Sequence, residues 1–440
     1  MRDYFEAMAT ILDGAVIGPE RYRCWFAAEA TDFVRFNHSA IRQAGHVRQV
    51  LLTLELIDGQ RHASTTITLG GALAADAPLL VARLAALRTL LPELPEDPHL
   101  QVSGSVCSST RITPADLPAT AVMVDTILAA AAATDMVGIL ASGPIWRGFA
   151  DAEGQLNWHE SRTFNLDWSL YLDRDKAVKS SYAGGHWRAA EFQQHFAAAV
   201  ARLALLQRAP VTVPPGAYRA YLAPAALNEI ISMLNWGAVA EKSLQTRASA
   251  LRRMRDEGVR LHPAIHLREN TAEGLAPAFQ ADGFVRPPSV TLIDAGVLAG
   301  SMISPRSAAE YGLLHNGADA DESMRSIDLA AGELDQADAL AQLGTGIWIS
   351  NLWYLNFSDR GNCRITGMTR FATFWVEDGA IVAPLNVMRF DDSLFELLGD
   401  NLLALTRERE LLVANDTYLE RSTASARLPG ALVKDFRFVL

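Results

Sequence analysis

Period-two strand patterns closed by Asp-Gly turns, helical stripes set among them, and proline-rich breaks near residues 92 and 210 predict an α+β fold. The pattern divides the chain into two small N-terminal α+β domains, residues 1–100 and 101–210, and a larger strand-rich C-terminal domain, residues 211–440. The third domain is expected to carry a mixed or antiparallel sheet and one long helix. Half of the 440 residues are hydrophobic, enough for a sizeable core and against disorder.

The elements follow in order. A first helix ends near Gly14 or Pro19. Strands follow at Cys24–Ala28 and Asp32–Asn37. Val47–Ile57 alternates, turns at Asp58-Gly59, and returns through Arg61–Leu69 as a hairpin. From Ala74 to Leu91 an amphipathic helix is predicted through Leu79, Leu80, Val81, Leu84, Leu87, Leu90 and Leu91, until Pro92, Pro95 and Pro98 end it. Thr113-Pro114 opens a helix predicted to reach Thr134. Strands are predicted at Val137–Phe149, through Trp158, and at Thr163–Leu172, and a helix at Trp187–Arg208. After Pro210–Gly216 come a short strand, Tyr218–Leu222, and a helix from Ala225 to about Glu241.

The richest stretch is Gly344–Phe390. A Gly-Thr-Gly turn leads into Ile347, Trp348 and Ile349, and a second apolar run, Phe371–Val376, closes on Glu377-Asp378-Gly379. Three strands of a large sheet account for this. They leave unexplained the polar residues in the middle: Asn351, Tyr354, Asn356, Asp359, Arg360, Cys363 and Arg370 are candidates for substrate binding or an interface.

Charge narrows the partners. The net charge is −11, and the one basic cluster, Arg247–Arg260, is interrupted by Asp256 and Glu257. Phosphate backbones are held by clustered Lys and Arg, so no nucleic-acid partner is expected. Cys24, Cys107 and Cys363 are sparse and far apart, as suits a reducing compartment. The first residues contain acids and no apolar signal region, and no apolar run reaches membrane-spanning length. A soluble cytoplasmic protein is expected.

Ordinary catalytic patterns are missing. There is no nucleophile elbow, Walker loop or dinucleotide fingerprint. His262 and His266 flank Pro263 in a strand-like setting that spaces them about 13 Å apart, too far to share a metal ion. His159-Glu160 is half of a zinc-peptidase motif without its second histidine. Cys363, beside Arg364, is a candidate nucleophile if folding brings a histidine to it.

Gly344-Thr345-Gly346, the run Phe374-Trp375-Val376-Glu377-Asp378-Gly379-Ala380-Ile381-Val382-Ala383-Pro384, the segment Asp32–Asn37 and the segment Leu292–Leu298 together resemble the TldD/PmbA (TldE) family in order and spacing. The resemblance implies a two-subunit peptidase. In it a TldD-type subunit binds zinc through His-Glu-x-x-x-His on a helix, and a TldE-type subunit lacks that motif. Here the matching helix places Asn228, Glu229 and Met233 where the histidine, glutamate and second histidine would stand. An amide oxygen and a thioether are poor zinc ligands.

What the resemblance implies is a TldE-like, zinc-free subunit without catalytic residues of its own. It would enclose and position an unfolded or leader-bearing peptide for a TldD-type catalytic partner that carries the zinc. Strand addition is the physical route. Two alternatives remain at this level: a stand-alone hydrolase using Cys363 or a bound metal, and a homodimer that binds peptides without cleaving them.

Overall fold

The computed structural model describes residues 1–173 and 176–439. Two sheets organise them, with seven and eleven strands among the described residues. The fold is α+β, as the sequence predicts.

The first sheet is built from β1 (Arg21–Asn37), β2 (Ala40–Asp58), β3 (Arg61–Thr68), β4 (Ser109–Ile112), β5 (Asp135–Asp151), β6 (Leu156–Asp173) and β7 (Lys176–Gly184). Its order is β3-β2-β1-β5-β6-β4, with β7 also paired to β6. β1 and β6 each run unbroken where the sequence suggests two shorter strands. The predicted boundary at residue 100 crosses this sheet: β1 pairs with β5 from Arg23↔Asp151 to Phe36↔Gly138. Residues 1–100 and 101–210 therefore share one hydrogen-bonded layer. Such long-range pairing leaves no mark in local periodicity.

Helix α1 (Arg2–Asp13) buries Phe5, Met8, Ala9 and Leu12, a stripe at helical spacing, against the first half of this sheet. Helix α2 (Leu73–Leu90) packs beside it through Leu80, Leu84 and Leu87. Its entry is fixed by the Asp76 carboxylate, which accepts from the backbone N–H groups of Gly70, Gly71 and Ala72. Helix α3 (Thr120–Ala131) starts later than Thr113-Pro114 suggests. The intervening chain is held extended: Asp116 N–H donates to the Gly185 carbonyl and Trp187 N–H to the Asp116 carbonyl. Helix α4 (Ala189–Leu205) buries Phe192, Phe196 and Ala199.

The second sheet contains β8 (Gly216–Leu222), β9 (Leu267–Glu269), β10 (Val290–Asp294), β11 (Val297–Leu298), β12 (Ser326–Leu329), β13 (Gly346–Asp359), β14 (Arg364–Glu377), β15 (Ala380–Pro384), β16 (Arg389–Ser393), β17 (Leu402–Val413) and β18 (Ser425–Phe438). β18 pairs with β8 as well as with β16, so part of this sheet closes on itself. The Asp378-Gly379 turn joins β14 to β15 with both φ angles positive, +46° and +77°, as a tight hairpin turn demands.

Helix α5 (Pro224–Ser232) is shorter than the long helix the sequence suggests. Asn235 stops it. Its side chain exchanges two hydrogen bonds with the Met324 backbone, 3.1 and 2.9 Å, and Gly237 then turns the chain with a φ of +84°.

The layers meet in a shared apolar core. Phe164, Trp168, Phe192 and Phe196 from the first sheet and α4 pack with Tyr221, Trp348, Ala372 and Phe374 from the second. Each fully buried side chain of this size contributes roughly 1.5–3 kcal/mol. On the other face of the second sheet, Leu227, Ile230 and Ile231 of α5 join Ile347, Ile349, Leu352 and Ile365 in a separate core.

Candidate functional site: a cleft between two strand edges

Beyond the shared aromatic core the two sheets part, leaving a cleft of about 550 Å³. One wall is β6, β7 and α4, with Asp167, Lys179, His195 and Arg202. The other is α5, β13 and β17, with Asn228, Glu229, Asn351 and the run from Glu408 to Glu410. Two strands line it with consecutive residues, Lys179-Ser180-Ser181 and Leu412-Val413-Ala414-Asn415 among them. Side chains alternate along a strand, so consecutive lining residues mean that a strand's edge is turned to the cleft. β7 pairs only with β6, and from Arg409 to Val413 β17 pairs only with β18, among the described residues. Each keeps a row of main-chain donors and acceptors on its free side.

Side chains tie the cleft at one end. The Asn165 amide donates to the Val413 and Ala414 carbonyls, both at 3.3 Å, and the Asn415 amide to Asp167 at 3.1 Å. Asp167 also pairs with Lys179 at 3.1 Å. Loss of water pushes the Glu410 carboxyl above its usual range, against the pull of His195 and Arg202. Glu229 is raised for the same reason, against Lys179. Arg202 has no ion-pair partner among the described residues, so apart from the Asp167–Lys179 pair the walls keep charged groups turned to the space.

Helix α5 decides what chemistry this wall offers. Its apolar stripe is buried, which turns Asn228, Glu229 and Ser232 into the cleft. Asn228 accepts from the Ser232 hydroxyl at 3.3 Å. Met233 lies past the helix end, 3% exposed in the core behind it. A zinc ion here would meet one carboxylate and an amide, with the thioether buried elsewhere. Among the described residues no group of three or more His, Cys, Asp and Glu side chains converges. The donor set does not fit zinc.

The other candidates scatter along the β13–β14 hairpin. Asn351 reaches the cleft and is paired in register with Arg370. Tyr354 is 76% exposed and holds a φ of +58°. Asn356 is exposed opposite Thr366. Asp359 accepts from the backbone and side chain of Asn362 in the hairpin turn. Arg360 donates to the Trp236 carbonyl and lies over the Phe357 ring. These last two have turn-building roles. Cys363 is fully buried, and desolvation pushes its thiol up to about 12. A buried protonated thiol is no nucleophile, which removes the basis for the Cys363 hydrolase.

Sequence reasoning missed most of the cleft. β7 went unseen, and with it Lys179; the α4 wall, His195 and Arg202, carries polar residues on a helix that otherwise reads as packing. β17 offered one signal, the alternation of charge through Arg407, Glu408, Arg409 and Glu410 at the end of an apolar run.

Residues 215–439 match the family model described as the PmbA/TldA metallopeptidase C-terminal domain. No curated protein sequence matches the chain. Among solved structures, TldE from Thermococcus kodakarensis is similar at a TM-score of 0.77 and 12% identity, over 99% of this chain and 100% of that one. A candidate DNA gyrase modulator from Thermotoga maritima is similar at 0.75 and 12%, over 99% of both chains. A second such candidate, from Bacteroides thetaiotaomicron, gives 0.74 and 13%, over 99% of this chain and 98% of that one. At these identities the likeness is one of fold.

Proposed function

The chain belongs to the PmbA/TldD metallopeptidase family, and from that premise we propose that it is a TldE-like, zinc-free subunit that holds an extended peptide for a zinc-bearing TldD-type partner. The observation that carries this reading is the cleft between the free edges of β7 and β17, beside a helix whose motif positions hold Asn228 and Met233. An unfolded peptide supplies main-chain groups that pair with a strand edge whatever its sequence, and the charged walls sort its side chains. Glu229 has no metal-bound water to serve, so no hydrolytic step is assigned to this chain. Cleavage belongs to the partner, on unfolded peptides or on the leader of a modified peptide, in a cytoplasmic complex.

The test is a peptidase assay of this chain, of a TldD-type partner, and of the two mixed. Activity is expected only in the mixture. Stoichiometric, tightly held zinc in this chain alone would sink the zinc-free assignment. A homodimer that binds peptides and never recruits such a partner would favour the peptide-capture alternative. Main-chain pairing is checked separately: N-methylation at alternate peptide bonds should abolish binding, because it removes the donors.

A further inference from the structure

We propose that the cleft continues onto the outward face of β13, β14 and β16, and that this face binds an acidic side chain of the extended peptide through Arg370. The inference rests on the reading of the cleft as a peptide site and names the chemistry of one subsite.

Three observations carry it. The first is continuity: Asn351 lines the cleft and stands opposite Arg370 in the β13–β14 register. Along β14 Arg364, Thr366, Met368 and Arg370 alternate with the buried Ile365, Gly367 and Thr369, so they share the outward face. Trp353 and Arg389 flank Met368 on that face from either side. β13 loses its β8 partner after Ile349, so its edge past that point pairs with no second strand among the described residues.

The second is an uncompensated cation. The Arg370 guanidinium stacks 3.9 Å over the Trp353 ring and 5.0 Å from that of Phe371. It has no hydrogen-bond or ion-pair partner among the described residues. Of the carboxylates on this face, Asp391 is engaged by Arg364 at 2.7 Å, and Asp359, opposite Arg364, accepts from the backbone and side chain of Asn362. Stacking fixes the guanidinium plane and leaves its N–H edge free, the arrangement that recognises a carboxylate with two parallel hydrogen bonds. In a chain of net charge −11, an unpaired arginine gives an acidic segment a local point of attraction.

The third is local strain. Tyr354 and Phe371 hold φ angles of +58° and +60°, a region bulky residues seldom occupy. Trp353 and Tyr354 stand 47% and 76% exposed. Tyr354 and Phe371 sit where the β13–β14 register shifts, between Trp353 and Asn356 and between Ile349 and Asn351, so each positive φ builds a β-bulge; bulges re-aim side chains, and they gather beside functional sites.

The experiment uses fluorescein-labelled decapeptides of alternating Val and Thr with one central Asp, Asn or Lys. Binding is read by anisotropy with the full chain, alone and mixed with a TldD-type subunit. The Asp peptide should bind roughly tenfold more tightly than the Lys peptide, as one charge-assisted hydrogen-bonded pair supplies. Arg370→Glu should reverse that order, and Trp353→Ala should shrink it, with folding of each variant checked by circular dichroism. Equal binding of all three peptides, unchanged by Arg370→Glu, overturns this inference and leaves the cleft reading standing. No binding of any peptide overturns both. If Arg370→Glu spares peptide binding but abolishes association with the TldD-type subunit, the face is a subunit interface and the inference falls.

Discussion

The same two sheets meet in two opposite ways. Along one stretch the seam is closed by rings: Trp168 against Phe192 and Phe196, Tyr221 stacked 4.3 Å on Trp348, with Phe374 completing the core. A short distance on, between β7, β17 and α5, the seam is open and charged. Ring faces and aliphatic groups lose nothing by leaving water, so the first stretch zips shut. Strand edges and ionised side chains lose hydration that only a partner restores, so the second stays open until something supplies main-chain groups. An open seam in an otherwise packed interface is thus a binding site made by what its residues cannot do for each other.

The sharpest way to break this comparison is to weaken the closed stretch. Phe374→Ala should cost about 3–5 kcal/mol in urea unfolding, the usual price of a large cavity in a tight core. A loss below about 1 kcal/mol would mean that this stretch is no more committed than the cleft. Next comes pH. His159 is fully buried, its Nε2 3.1 Å from the Leu275 carbonyl, and burial, with Arg111 second, lowers its pKa from 6.5 to about 4. The unfolded chain takes up the proton first as pH falls. The stability this neutral histidine contributes is complete above 6.5 and lost progressively toward 4, by about 3 kcal/mol. Unfolding midpoints across that window should show the loss, and His159→Asn should flatten it.

Cys363→Ala tests the buried thiol. We expect a stability loss near 1 kcal/mol, typical of a small core deletion, and unchanged activity in the mixed complex. Abolished turnover with the fold intact would restore the thiol to the chemistry. The smallest effect belongs to the cleft. Because the Glu410 carboxyl is raised in the folded chain, folding favours its protonated form, and stability declines as pH rises through the carboxylate range. Glu410→Gln should raise the melting temperature slightly at neutral pH and remove that slope. A fall in melting temperature instead would show that the charge is held by the fold and not waiting for a ligand.

Much of the fold was legible in local pattern. The hairpins at Asp58-Gly59 and Asp378-Gly379, the first helix, the α2 stripe and the strand predicted at Tyr218–Leu222 and found at Gly216–Leu222 all follow from periodicity and turn chemistry. The union of the first two predicted domains was not, since β1 finds β5 more than a hundred residues on. Of the candidate site, Asn228, Glu229 and Asn351 were named from sequence and line the cleft together, while Met233 and Cys363 proved to be core. Periodicity marks which face of an element is apolar. It does not mark which polar residues on different elements will share one space.

What the sequence alone determined is the set of elements, the turn that closes β14 on β15, and the presence of Asn228, Glu229 and Met233 on the helix predicted after the proline-rich break at 210. Tertiary structure alone decided that Met233 sits behind its helix end, that Arg370 stacks on an indole without an ion-pair partner among the described residues, and that two strand edges face a common gap. The reason is physical: local chemistry fixes how a segment folds, but an unpaired edge or an unpaired charge is a statement about every other segment that failed to reach it.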